Sequence, residues 1–217
     1  MTSPYINTKL KTSIILRPYQ MDNKLYLNLK RNLEGKLLKR CFKHYGFISD
    51  IFQIINYQDG EIQSENITAS ATFKLEFSCR LCKPLVNQKI ICQINQVNKV
   101  LITAANGPII IIITNDRIND NNFFTDNNNN VRYKNTDGSQ ILRPKEFIKV
   151  SIIAVVFNHG DEKIKAMGFL DSMANDEEIK KYYQDMYINQ MDLEETGNEN
   201  DQLIDYQDYV KSEEIFV

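Results

Sequence analysis

The longest regular alternation of apolar and polar positions in the chain runs through residues 71–81. Ala71, Phe73, Leu75, Phe77, Cys79 and Leu81 fall on one side; Thr72, Lys74, Glu76, Ser78 and Arg80 fall on the other. A period of two over this length predicts a half-buried strand over 70–82, and Pro84, which has no N–H for a ladder, ends it. Upstream, residues 5–16 alternate more loosely and close on Ile14-Ile15-Leu16, a first strand stopped by Pro18. Asp22 reads as an N-cap. Leu25, Leu29, Leu33 and Leu37 then recur at helical spacing. By pattern alone that helix runs from about 23 to 45 and is capped at Gly46. In the alternative, Gly35 is the left-handed residue that follows a shorter helix, with Lys30 and Arg31 in the last turn and a strand over 37–43. The shorter helix is preferred, because glycine inside a helix costs about 1 kcal/mol relative to alanine. Phe47 to Ile55 reads as the next strand, closed by Asp59-Gly60.

Beyond Pro84 the pattern changes. Lys89 to Gln96, Lys99 to Ala104 and Pro108 to Thr114 are three strands in close succession, followed by a polar, Asn-rich loop over 115–145 that offers little to bury. Phe147 to Phe157 and Lys163 to Leu170 then form a hairpin across Asn158-His159-Gly160-Asp161. Five strands with a long insertion between the third and fourth is the layout of an OB-type barrel. Residues 176–191 have helical spacing, with Ile179, Tyr182, Tyr183 and Met186 on one face and acids in the first turn. The stretch 192–217 is acidic and reads as disordered without a partner. The expected fold class is therefore α+β and mainly β. The expected units are residues 1–84, a barrel over 85–173 and a helical and acidic extension over 174–217, with a short hinge at Lys83 and Pro84.

Charge divides the chain in the same way. Residues 1–45 carry ten Lys/Arg against two acids, 46–174 carry thirteen of each, and 175–217 carry three Lys against thirteen acids. A basic front and an acidic end imply separate electrostatic partners, or simply solvated faces. No segment approaches the roughly 20 apolar residues of a membrane span, and the N-terminus shows no signal-peptide core. Four cysteines in such a chain point to a reducing compartment without a disulfide framework.

No residue set points to catalysis. His44 and His159 fall in different units, no Gly-rich phosphate loop is present, and Asp161-Glu162 sits in a turn where acids are ordinary. Cys79, Cys82 and Cys92 invite a zinc reading, but positions 79 and 82 face opposite sides of a strand, and packing explains them better. No cofactor is implied. The remaining chemistry is nucleic-acid binding, with Lys89, Lys99, Lys145, Lys149, Lys163 and Lys165 as candidates to line a groove on the barrel. The central strands contain no aromatic, and stacking is worth roughly 1–3 kcal/mol per base. Contact with RNA is therefore expected to be weak, charge-led and salt-sensitive.

Four segments occur in a telling order: Leu16-Arg17-Pro18 after the first strand; Glu34-Gly35-Lys36 before Tyr45-Gly46-Phe47-Ile48; Ala71-x-Phe73-x-Leu75-x-Phe77 leading to Lys83-Pro84; and Ile164-Lys165-Ala166-Met167-Gly168. Together, over about residues 8–172, they resemble the larger stalk subunit of multisubunit RNA polymerases, the eukaryotic seventh-subunit and archaeal E-prime family. The resemblance implies an RNP-like tip domain and a non-catalytic role. In that role the tip docks on polymerase core subunits beside the clamp, the barrel stands near the exit path of nascent RNA, and a small helical partner packs along the joint. It assigns core docking to Arg17, Pro18, Gly46 and Phe47, and supports the shorter helix at Gly35. Val97-Asn98-Lys99 departs from the family, which usually has Gly and aromatics there, and the stretch from about 174 exceeds the family's usual end. The AT-rich coding bias in Ile, Asn and Lys suggests a large DNA virus, hence a place in the virion and host cytoplasm, or the nucleus if cellular. The rival readings are a free-standing single-stranded-RNA-binding protein and a small cysteine metalloprotein.

Overall fold

The computed structural model describes residues 3–64, 66–126, 130–135 and 138–186. Its elements in chain order are β1 (Tyr5–Leu16), α1 (Leu25–Leu37), β2 (Arg40–Phe42), β3 (Gly46–Tyr57), β4 (Ala71–Cys82), β5 (Lys89–Val97), β6 (Leu101–Asn106), β7 (Ile109–Thr114), β8 (Phe123–Thr125), β9 (Val131–Asn135), β10 (Gly138–Ile141), β11 (Phe147–Val156) and β12 (Ile164–Met173). A short 3-10 turn, Pro18–Gln20, precedes α1, and residues 176–186 form a further helix. The protein is mainly β, as the alternating patterns imply.

The first four strands make an antiparallel sheet ordered β1-β4-β3-β2. β4 lies inside it, pairing β1 along its whole length and β3 through several bulges. Its odd-numbered residues are buried, as the period-two pattern predicts, and they meet Leu29, Leu33 and Leu37 of α1. One face of the sheet is thus covered by the helix and the other is open.

α1 corrects the shorter-helix expectation. It passes straight through Gly35 and ends only at Leu37, with Lys39 in the left-handed region at φ 58°. Burying Leu37 is worth about 1.5–3 kcal/mol, which exceeds the roughly 1 kcal/mol cost of Gly35. The following strand is correspondingly shorter than 37–43. Asp22 does not cap the helix either. Its carboxylate accepts from the Lys24 N–H and the Asn28 amide, organising the turn before it, while Lys24 stands at the N-cap position.

β5, β6, β7, β12 and β11 close into the five-stranded barrel, antiparallel throughout except for the parallel β7–β12 pair. Within the isoleucine run only Ile109, Ile111 and Ile113 point inward. Gly168 is required inside β12, because a Cβ there would overlap Val150 and Ile111. The insertion is more ordered than its polarity suggests. β8, β9 and β10 form a small sheet, and Phe123, Val131 and Leu142 join the barrel core. With Ile118, which bridges to Leu170, four apolar anchors spaced around the asparagines fold the segment down.

Two glycine substitutions separate these effects. Gly35→Ala meets open space on an exposed helix position and is expected to stabilise the protein by about 1 kcal/mol. Gly46 sits at φ +108°, where a Cβ would approach the Cys82 carbonyl oxygen at 2.6 Å. Gly46→Ala should therefore cost about 2 kcal/mol or more. Urea unfolding midpoints read both.

Candidate functional site

β4 changes its surroundings at its C-terminal end. Cys79 and Leu81 face the α1 side, whereas Cys82 packs into the barrel core with Cys41 and Phe47. The two cysteines do lie on opposite faces, and burial pushes the thiols up, to about 11 for Cys79 and about 12 for Cys82. Neutral, buried thiols act here as small packing groups. Around them the backbone stitches the two units together. Cys41 N–H donates to the Asp161 carbonyl and Gly160 N–H to the Cys41 carbonyl, both at 2.8 Å. Phe42 and His159 meet edge to face at 5.0 Å. His159 and Asp161, the turn residues weighed for catalysis, are thus parts of this junction.

A second set of contacts comes from the helix at 176–186. Glu178 pairs with Lys149 of β11 at 2.6 Å, and Tyr182 and Tyr183 pack edgewise on Phe147. At the other end the Asp185 carbonyl accepts from the Arg80 guanidinium at 2.9 Å. Arg80 is only 5 % exposed and stacks 4.5 Å over the Tyr5 ring. Alternation assigns Arg80 to the solvent face; in the fold that face is solvent-free at this one level because the helix lies on it. The part of the expected helix beyond 186, and the acidic stretch 192–217, lie outside the described residues.

The other predicted residues fall in three places. Arg17 and Pro18 sit at the distal end of the sheet, as the N-cap and first residue of the 3-10 turn. Gly46 and Phe47 sit at the opposite end, against the barrel. The twelve residues of β4 separate those levels by about 36 Å, so the four do not converge. Lys83 and Pro84 lie at the junction, where Lys83 N–H donates to the Pro4 carbonyl, its Nζ to the His44 carbonyl, and Pro84 is buried.

The six lysines are dispersed. Lys89 pairs with Asp171, and Lys149 is committed to Glu178. Lys99, in the β5–β6 turn, and Lys145 are exposed at one end of the barrel, while Lys163 lies in the β11–β12 connection at the other end and Lys165 on β12. Sequence reasoning missed the apolar group at the distal end. Tyr19, Ile62 and Ile67 are 72 %, 58 % and 101 % exposed there, beside exposed Ile15. Their signal was an apolar residue in each of two loops that otherwise read as polar. Among the described residues no cluster of His, Cys, Asp or Glu could hold a metal ion, and no helix is long and apolar enough to cross a membrane.

No family model matches the chain. A putative DNA-directed RNA polymerase subunit of Acanthamoeba polyphaga mimivirus is 33% identical over 186 residues, covering 86% of this chain and 92% of that protein. The DNA-directed RNA polymerase II subunit RPB7 of Glycine max is 28% identical over 130 residues, 58% of this chain and 72% of the soybean protein. The chain belongs to the RPB7-like family of DNA-directed RNA polymerase subunits. As an RPB7-like subunit it is a non-catalytic component of the polymerase complex.

In this RPB7-like subunit the hold of the helix at 176–186 on the barrel should weaken in acid. Burial opposes ionisation of Glu178, but the hydrogen bonds from Lys149 and the Asn175 N–H and the lysine charge outweigh it and hold the carboxyl below the usual range. Its contribution is therefore full above a pH of about 4.3 and fades as pH falls through the lower folded-state value. Near-ultraviolet tyrosine dichroism should show this acid step in the parent and lose it in Glu178→Gln.

Proposed function

We propose that the chain is a stalk subunit, docking on the polymerase core beside the clamp through the distal end of its N-terminal sheet and holding the barrel near the path of emerging RNA. The observation that carries this reading is the exposure of four large apolar side chains, Ile15, Tyr19, Ile62 and Ile67, on the strand end and loops farthest from the barrel, at the same end as Arg17 and Pro18. Apolar side chains exposed at one end of a sheet are a surface that a protein partner can cover. Gly46 and Phe47 then serve the docking indirectly, by setting the junction from which the distal end projects. A small helical partner along the joint completes the stalk. The viral relative favours the virion and host cytoplasm as its place of work.

RNA contact in this reading is secondary. Lys99, Lys145, Lys163 and Lys165 have no carboxylate partner among the described residues, and they are the lysines left to meet phosphates. Four phosphate contacts with a single strand give a salt slope of about −2.8, so binding should fall roughly 50-fold between 50 and 200 mM salt. Filter binding over a salt series measures this. Tight, salt-insensitive binding would favour the free-standing RNA-binding protein instead.

The docking claim is tested by Tyr19→Asp combined with Ile67→Asp. Recovery of polymerase core subunits with the tagged chain should drop at least about tenfold, about 1.4 kcal/mol, with an unchanged unfolding midpoint. Undiminished recovery would show that the distal end is not the docking surface.

A further inference from the structure

The small sheet of β8, β9 and β10 has one side on the barrel and the other in solvent. Phe123, Val131 and Tyr133 pack toward the barrel core, so the residues that alternate with them face outward. In the register Phe124 stands opposite Arg132, and Arg132 opposite Ile141, so one outward row crosses all three strands. Neighbouring strands are about 4.8 Å apart, which sets Arg132 midway between the two apolar side chains. Phe124 is 38 % exposed and Ile141 42 %. The Phe124 ring has no aromatic partner among the described residues. Lys134, two residues after Arg132 on β9, is exposed on the same face.

β10 is an outer strand of this sheet, and a groove of about 490 Å³ lies against it, lined by Arg132, Ser139, Gln140, Ile141, Arg143 and Glu146. Two guanidinium groups therefore serve one groove. Arg132 donates from Nε to the Asp126 carboxylate at 3.0 Å, which fixes the plane of the group and leaves its terminal nitrogens for a ligand. Arg143 is exposed and has no carboxylate partner among the described residues. The groove's acid, Glu146, is turned back to accept from the Arg143 N–H at 2.9 Å. Lys134 Nζ donates to the Asp120 and Asn121 carbonyls and keeps its charge. Because β9 and β10 are antiparallel, Lys134 and Arg143 lie on opposite sides of the Phe124–Arg132–Ile141 row. An exposed ring beside a fixed guanidinium plane offers flat faces to bases, and the flanking cations suit phosphates. A protein-binding patch is instead a broader apolar core with a polar rim.

We propose that the outer face of the β8–β10 sheet is a stacking platform for single-stranded RNA, with bases on Phe124 and the Arg132 plane and phosphates at Arg143 and Lys134. The insertion thereby supplies the aromatic that the central barrel strands lack. The stalk reading provides the RNA that reaches this platform, but the platform itself belongs to the free chain and is measured there.

Fluorescence anisotropy of a labelled oligouridylate with the full-length protein, over a salt series, tests this. Phe124→Ala should weaken binding roughly tenfold at every salt concentration and leave the salt slope unchanged, because stacking releases no counterions. Phe124→Tyr should bind as the parent does. Arg143→Gln should weaken binding and make the slope shallower by about 0.7, one phosphate contact with a single strand. Photocrosslinking of a 4-thiouridine oligonucleotide to the parent protein, with peptide mass spectrometry, gives a reading that needs no variant to fold. The expected links fall on Phe124, Arg132 or residues 141–143. The proposal is overturned if Phe124→Ala binds RNA like the parent, or if the links fall only at Lys99, Lys163 or Lys165. It is equally overturned if Phe124→Ala lowers recovery of polymerase core subunits while its RNA affinity is intact, which marks a protein surface. Failure of the stalk reading shows in core-subunit recovery with the distal-end variant and leaves these affinities unchanged.

Discussion

Everything in this molecule depends on β4 serving two cores at once. Through most of its length the strand obeys the simple rule of a sheet with one covered face, and its alternate residues pack under α1. At Arg80 and Cys82 that rule ends, because the second face is also buried, under the helix at 176–186 and in the barrel core respectively. A strand anchored in two cores transmits the position of one to the other. Cys41, Phe47 and Cys82 fill the seam, and Gly46 supplies the left-handed backbone and the bare Cα that let β3 start against the Cys82 carbonyl.

This constraint also explains which parts of the fold could be read from the residues. Period two identified β4, which has one buried face over most of its length, while β3 and the barrel strands were legible as apolar runs between turn residues. Arg80 was misassigned for the same reason: alternation knows two faces but cannot know that a distant helix covers one of them at a single level. Gly35 was read by local propensity, and the buried Leu37 two residues on outweighed it. The insertion was judged by its average polarity, while Ile118, Phe123, Val131 and Leu142, four residues among many, anchor it to the barrel core. The opposite orientation of Cys79 and Cys82 was legible because it results from strand geometry alone.

The candidate site was harder to read than the fold. A docking surface is made by exposure, and exposure has no sequence period. Arg17 and Pro18 lie at the distal end of the sheet, whereas Gly46 and Phe47 lie at the joint. Of the barrel lysines, Lys89 and Lys149 are spent on acids that lie 82 and 29 residues away in sequence, pairs that only the fold reveals. What remains is consistent with a subunit whose work is mechanical. It has exposed apolar residues at its distal end, a barrel without aromatics on its central strands, and thiols held neutral by burial. Membership of the RPB7-like family gives that arrangement its setting.

The central claim is that the N-terminal sheet and the barrel form one packed body through the shared end of β4. Spin labels at Arg31→Cys on α1 and Lys165→Cys on β12 measure it most directly, since the four native cysteines are buried. The account predicts a single narrow distance distribution in the free full-length protein. A broad or two-peaked distribution, showing the two units moving independently about residues 83–87, would contradict it.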